Sequence, residues 1–535
     1  MLDSFGREGA VRRWLFALLT VAGLLLRGTD AAASSSVTMQ TTSGPVAGTT
    51  DGTVSRFLGI PYAEPPVGAL RWRPPVRAHH STTTIDATAF GAPCPQLGIF
   101  SPSYPGTNED CLTANIWAPA GRGGKPSPVM VFIHGGGFLR DSSLDPQFDG
   151  THLATSGAIV VSFNYRLGQL GYLAHPALMA QAGDGYGNYG FLDQQLLLQW
   201  VRENIGRFGG DPANVTLFGQ SAGSISICAH LVSPGSAGLF ERAIQESGTC
   251  SVLTMPLADQ AGSPHLSATA LGLEFAAALG CDTASDVAAC MRAASVSDVL
   301  NAAYVDLATV NLKQAHYMPS YGGPALPALP WTTLESGEVN AQSFVGGAAA
   351  QDGSFFAAVN NPSTAAELTA DMDAILPGHG ADFADVYTSA AGGNLFAALT
   401  QFYTDAIFTC PAREQARVMS GLRGSSAFLY EFSHVNPANG LGQAFGAFHG
   451  SELPYVFGGN FASPFTDDGD TYLEQNAMSY WLTFASSGQP SAAGAPVWQA
   501  YSTSGDAFLE LADPIVASTG LHAAACNAIA PLLGD

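Results

Sequence analysis

The sequence predicts an α/β protein: a mostly parallel central sheet covered by helices on both faces, with helical insertions. Three observations carry this reading. Short apolar runs recur at 129–133, 158–163, 215–218, 343–347 and 427–432. Stretches with a 3.6-residue apolar period lie between them, as amphipathic helices require. The runs are apolar throughout rather than at alternate positions, which fits strands buried on both faces. With 535 residues, 47% of them apolar, the chain can build a large core.

The first segment in chain order reads as a processing signal. Arg7, Arg12 and Arg13 precede the uncharged apolar run 14–26, and Ala31, Ala32 and Ala33 follow. Such a run rises only about 20 Å as a helix, against roughly 30 Å for a bilayer core, so a cleaved secretory signal over 1–33 is favoured over an anchor. Residues 34–535 are expected to form one large domain with no transmembrane segment. Losing four Arg and three acidic residues would leave a charge of −24. Export implies an oxidising compartment, and eight cysteines without a Cys-x-x-Cys pair fit that. Cys94 with Cys111 and Cys281 with Cys290 are natural disulfide candidates. The alternative is that some are buried free thiols, Cys228 inside an apolar helical stretch first among them, and the pairing of Cys228 and Cys250 is left open. No His lies at zinc-ligand spacing, so no metal and no cofactor are expected. Asn214 heads an Asn-x-Thr sequon but opens a strand, which disfavours glycosylation.

The strand at 129–133 runs into His134-Gly135-Gly136-Gly137-Phe138. Consecutive glycines let backbone N–H groups approach a ligand closely, as an oxyanion hole requires. A strand at 158–163 precedes a helix over 191–205, with Leu192, Leu196, Leu197, Trp200, Val201 and Ile205 on one face. The strand at 215–218 leads into Gly219-Gln220-Ser221-Ala222-Gly223, and a helix is expected from Ser224. Strand, sharp turn and helix form the context of a nucleophile elbow, which lifts a serine hydroxyl above a sheet edge. Gly136, Gly137 and Ala222 are the expected oxyanion donors. The Ala-rich stretch 251–385 reads as a helical layer added to the sheet. Asp352 follows the strand at 343–347, and His449 lies in a glycine-flanked loop after the strand at 427–432. Met478, Trp481, Leu482 and Ala485 mark a late helix.

A serine hydroxyl needs a base, and the base needs an orienting carboxylate. His265, His316, His379, His434, His449 and His522 all lie well after Ser221, and periodicity does not choose among them. Asp352 competes with the other acids of its region. Composition excludes more than it selects. A formal charge of −23 with only two lysines, Lys125 and Lys313, argues against nucleic-acid binding. An aromatic content of 10% argues against disorder.

From about Val37 to Leu533 the chain resembles the type-B carboxylesterase/lipase family, the cholinesterase-like branch of the α/β-hydrolases. Three blocks carry the resemblance: Phe57-Leu58-Gly59-Ile60-Pro61-Tyr62-Ala63-Glu64-Pro65-Pro66, Glu109-Asp110-Cys111-Leu112-Thr113-Ala114-Asn115, and Phe208-Gly209-Gly210-Asp211-Pro212 leading into the Ser221 elbow. The resemblance implies an α/β-hydrolase fold with Ser221 as nucleophile, His449 as base and Asp352 as acid. Asp352 stands where many members have Glu, and Gln220 where Glu is frequent, which removes a negative charge beside the site. Also implied are the disulfides Cys94–Cys111, Cys281–Cys290 and Cys410–Cys526, and the structural ion pairs Arg71–Glu109 and Arg166–Asp193.

The expected activity is therefore secreted hydrolysis of soluble carboxylic esters, with a small-molecule or polymeric ester as substrate. A triacylglycerol lipase is the alternative, and a non-catalytic adhesion-type member a more distant one. The Cys94–Cys111 loop, which forms the lid in related lipases, is short here, with modest apolar content from Phe100, Pro102, Tyr104 and Pro105. It lacks a tryptophan for cation–π recognition, which disfavours a choline-ester specialist.

Overall fold

The computed structural model describes residues 34–96, 104–121, 124–252, 255–259, 266–302, 317–459 and 468–533. The leader expected at 1–33 lies outside these residues, as do Phe100, Pro102, His265 and His316. One sheet contains β1 (Ser35–Thr41), β2 (Gly44–Thr50), β3 (Val54–Pro61), β4 (Ile85–Asp86), β5 (Thr113–Pro119), β6 (Ser127–Ile133), β7 (Ile159–Phe163), β8 (Gly210–Gln220), β9 (Arg242–Glu246), β10 (Ser343–Ala349), β11 (Ser426–Phe432), β12 (Ala507–Leu511) and β13 (Val516–Thr519). Their spatial order is β1-β2-β3-β5-β7-β6-β8-β9-β10-β11-β12-β13, with β4 beside β2. Every pairing from β7 to β12 is parallel. The pairings outside that centre are antiparallel, apart from the short β4.

Both faces of the parallel centre are covered, which is why its strands read as unbroken apolar runs. In β6, Val129, Val131 and Ile133 enter one core, and Met130 and Phe132 enter the other. The first core is closed by α1 (Tyr189–Asn204), through Leu197, Trp200 and Val201, and by α2 (Ala222–Val232). The second is closed by α3 (Asp468–Ser487), through Leu473, Trp481 and Phe484. The Ala-rich stretch supplies helices such as Ala268–Ala278 and Val287–Ala293, whose Phe275 and Met291 join the first core. It also contains β10, which enters the sheet between β9 and β11. A third apolar cluster, including Leu368, Met372, Phe402 and Phe408, meets the sheet at Ala348 of β10.

The disulfides Cys94–Cys111, Cys281–Cys290 and Cys410–Cys526 are present. The free-thiol alternative for Cys228 is corrected: it is bonded to Cys250, with Cα atoms 5.2 Å apart. The reason is tertiary. The turn after β9 folds back onto α2, where Ser224 Oγ donates to the Gly248 carbonyl at 2.6 Å, and this carries Cys250 to the helix. Among the described residues no cysteine is free. Both ion pairs form as bidentate bridges. Arg71 Nε and Nη2 reach Glu109 at 2.7 and 2.5 Å, and Arg166 Nε and Nη2 reach Asp193 at 2.8 and 2.6 Å. Among the described residues no helix is long and apolar enough to cross a membrane.

Candidate active site

Strand β8 passes directly into α2 through Ser221, whose backbone sits at φ +57°. A non-glycine residue there is held by its surroundings rather than by preference. Ser221 N–H donates to the Glu246 carbonyl at the end of β9 (2.9 Å), and Ile225 N–H donates to the Ser221 carbonyl (2.9 Å). The elbow needs Gly223 for space, since a Cβ there would lie 1.9 Å from the Ile133 carbonyl at the end of β6. The helix begins at Ala222, two residues before the expected Ser224. The turn is tight enough that the helix takes over immediately after the serine.

The glycine loop after β6 lies against this turn. A Cβ on Gly135 would stand 3.1 Å from the Ser221 Cβ. Gly136 is half-buried and Gly137 exposed, and neither backbone N–H has an acceptor among the described residues. Ala222 is the first residue of α2, where a backbone N–H has no intrahelical partner. Gly136 and Gly137 thus have open donors in the loop whose Gly135 packs on Ser221, and Ala222 directly follows the serine. His134 at the head of the loop is buried and stacks on Tyr165, with ring centroids 4.4 Å apart. Burial pushes it down to about 4, which keeps the ring neutral.

Asp352 follows β10 and is fully buried. Its Oδ2 accepts the Ala349 N–H at 2.8 Å, and its Oδ1 hydrogen-bonds with Nδ1 of His449. With the carboxylate accepting, Nδ1 carries the hydrogen and Nε2 is left as an acceptor. That Nε2 is buried and has no partner among the described residues. Gly450, beside His449, packs on the residue before the serine: a Cβ there would stand 3.6 Å from Gln220 Nε2. The rival histidines among the described residues are committed elsewhere. His434 pairs with Asp470 at 2.7 Å, His379 with Asp382 at 2.9 Å, and His522 with Asp405 and Glu431 at 2.5 and 3.0 Å.

Several residues that support this arrangement gave little signal in the sequence. Gln351 ties the two loops together: its N–H donates to the Ala447 carbonyl (2.9 Å) and its Oε1 accepts the Ala447 N–H (2.8 Å). The π-helix Thr404–Thr409 supplies Thr404 Oγ1, which accepts the Gly353 N–H at 2.9 Å. It also supplies Phe408, whose ring lies 5.1 Å from the His449 ring, while Phe356 lies 5.3 Å from it. Two further acids, Glu246 and Glu452, are fully buried nearby. Burial pushes Glu246 up to about 8, although Trp481 Nε1–H donates to its Oε1 at 2.7 Å and pulls the other way. Burial, then the charges of Glu246 and Asp352, push Glu452 well above the carboxylate range. Both raised groups hold their protons near neutral pH, so they do not replace the negative charge missing at Gln220, and the sequence reading found neither.

Comparison with known proteins fits this geometry. Residues 34–529 match the model of the carboxylesterase family. A para-nitrobenzyl esterase of Bacillus subtilis is 34% identical over 470 residues, covering 86% of this chain and 91% of its own. A cholinesterase of Mus musculus is 31% identical over 501 residues, covering 86% and 80%. The solved structure of a PNB esterase superposes with a TM-score of 0.77 at 31% identity, covering 92% of this chain and 99% of that one. An α/β-hydrolase sheet, an elbow serine and relatives matched over most of their length lead to one conclusion: the chain belongs to the carboxylesterase family and is a carboxylic ester hydrolase.

Proposed function

We propose that the protein is an exported serine esterase that hydrolyses soluble carboxylic esters by two-step acyl transfer, with Ser221 as nucleophile, His449 as base and Asp352 as orienting acid. The observation that carries this reading is the state of the imidazole. Nδ1 is bonded to a buried carboxylate, while Nε2 is buried and has no partner among the described residues, in a loop whose Gly450 packs on Gln220 of the elbow.

In the first step Ser221 Oγ attacks the ester carbonyl carbon as its proton passes to His449 Nε2. Charge develops on the carbonyl oxygen, and the N–H groups of Gly136, Gly137 and Ala222 stabilise it. The C–O bond to the alcohol then breaks, and the alcohol leaves with the proton from Nε2. In the second step water gives a proton to Nε2 and its oxygen attacks the acyl carbon. The acid departs and Ser221 recovers its proton. Four disulfides support export, since such bonds persist in oxidising compartments.

Ser221→Ala should abolish hydrolysis of a p-nitrophenyl ester and labelling by a fluorophosphonate while leaving the unfolding midpoint within a few degrees. His449→Gln should lose nearly as much activity, and Asp352→Asn less. Residual turnover in the serine variant near that of the parent would overturn the assignment.

A further inference from the structure

We propose that Tyr104 is a positioning residue for the oxyanion loop, holding it through Asp141 and Asp145. The inference rests on the acyl-transfer reading above and extends it to a side chain remote in sequence from every residue of the triad.

The path runs through backbone contacts. The N–H groups of Leu139 and Arg140 donate to the Gly136 carbonyl at 3.1 and 3.2 Å. A Cβ on Gly136, which has φ +88°, would lie 2.3 Å from the Arg140 carbonyl. The glycine peptides are therefore set by the turn at 139–141. That turn contains a second strained residue, since Asp141 has φ +86°. Such a conformation costs on the order of 1 kcal/mol or more and persists only where neighbours impose it. Here they do. Gln96 grips the Asp141 backbone on both sides, accepting its N–H at 2.8 Å and donating to its carbonyl at 2.9 Å. The Asp141 side chain accepts Ser142 N–H at 2.7 Å. Tyr104 completes the grip: its hydroxyl lies 2.9 Å from Asp141 Oδ1 and 2.7 Å from Asp145 Oδ2. Gln96 and Tyr104 both belong to the segment closed by Cys94–Cys111. The disulfide thus fixes the base from which they reach across.

Proton counting gives the clamp its chemistry. A phenol has one hydrogen, so it can donate to one carboxylate only. Both contacts are hydrogen bonds when one of the two carboxyl groups is protonated and donates to the phenol oxygen. Asp141, Tyr104 and Asp145 therefore share one extra proton. Burial raises both acids and the phenol, and the two carboxylates raise the phenol further. The other groups facing the cluster are the Arg140 guanidinium, which favours a charged Asp141, the neutral ring of His134 beside Asp145, and the Tyr165 hydroxyl, which donates to the His134 carbonyl at 2.8 Å. Losing the shared proton leaves two adjacent carboxylates with one donor between them, and the turn that sets Gly136 loosens.

The test compares Tyr104→Phe and Asp141→Asn with the full-length parent, using p-nitrophenyl acetate turnover, fluorophosphonate labelling rate and thermal unfolding. Tyr104→Phe should lower kcat and the labelling rate about tenfold while moving KM less than threefold. Asp141→Asn tolerates the same backbone and keeps its amide oxygen on the Ser142 N–H, while the phenol hydrogen goes to Asp145, so no shared proton is needed. It should lower kcat severalfold, less than Tyr104→Phe does, and flatten the fall in kcat as pH rises. A Tyr104→Phe variant that labels and turns over at the parent rate overturns the proposal. So does an Asp141→Asn variant with the parent pH profile. If Tyr104→Phe proves too unstable to assay, the Asp141→Asn profile decides alone. A parent protein that no fluorophosphonate labels at Ser221 would instead bring down the acyl-transfer reading itself.

Discussion

Glu246 shows what a single buried acid does to a site that already depends on another carboxylate. Its backbone carbonyl anchors Ser221 and its side chain accepts from Trp481, yet it makes no ion pair among the described residues. Held at about 8 when folded, against about 4.3 when unfolded, it keeps a proton that the unfolded chain has already lost. Its contribution to stability therefore falls as pH rises from about 4.3 and levels off above about 8, a loss on the order of 5 kcal/mol in total. Glu246→Gln should remove most of that loss, and urea unfolding at pH 5 and pH 9 would measure it. An unchanged pH response in the variant would place the proton elsewhere. At this scale the sequence was partly legible. Ser221 and the glycine loop announce themselves because their chemistry demands local neighbours. Asp352 and His449 needed a family resemblance, since 97 residues separate them. Tyr104 was read for its apolar content, whereas its hydroxyl is the part that engages the loop. Nothing in a linear string reports which carboxylate a phenol will meet.

Among elements, the elbow is one of the two tightest glycine junctions of the described residues, matched by Gly272 against Ala174. The contact between Gly223 and the end of β6 leaves no room for a methyl group, so Gly223→Ala must separate β6 from α2. A loss of about 3 kcal/mol or outright failure to fold is expected. Gly206 offers the control: it lies in the 3-10 helix Ile205–Phe208, and a Cβ there would meet nothing within 4 Å. Gly206→Ala should be neutral to slightly stabilising, and the paired unfolding curves separate crowding from helix propensity. Of the central strands, β6, β7, β8, β10 and β11 were foreseen within a few residues because two covered faces force apolar runs, whereas β9, broken by Arg242, Gln245 and Glu246, and the short β12 were not. The outer ones were not. β1 and β2 are rich in Ser, Thr and Gly and lie partly exposed, so they carry no such run. β8 extends to Gly210, five residues earlier than its apolar stretch, through the polar Asp211–Asn214. The π-helix Thr404–Thr409 leaves no periodic trace, because one turn of altered winding barely shifts an apolar face.

At the scale of the molecule, the acidic excess bears on solvation and the cysteines on the proposed export. Catalysis as proposed calls on one charged side chain beside the imidazole, so most of the acidic residues serve solvation instead. The disulfides hold the layers together at four places, and their separations along the chain are unequal: 9, 17 and 22 residues for three of them, and 116 for Cys410–Cys526. That inequality bears on biogenesis. A chain entering an oxidising compartment from its amino end can close each short pair soon after the second cysteine emerges. Cys410 then waits for Cys526 with every other thiol already consumed, and mispairing has no partner left. A fully reduced, denatured chain enjoys no such schedule and faces on the order of a hundred possible pairings of eight cysteines. Refolding from that state should return only a small fraction of the esterase activity recovered from a chain denatured with its disulfides intact. Equal recovery from the two would mean that the fold selects its cysteine partners without help from the order of synthesis.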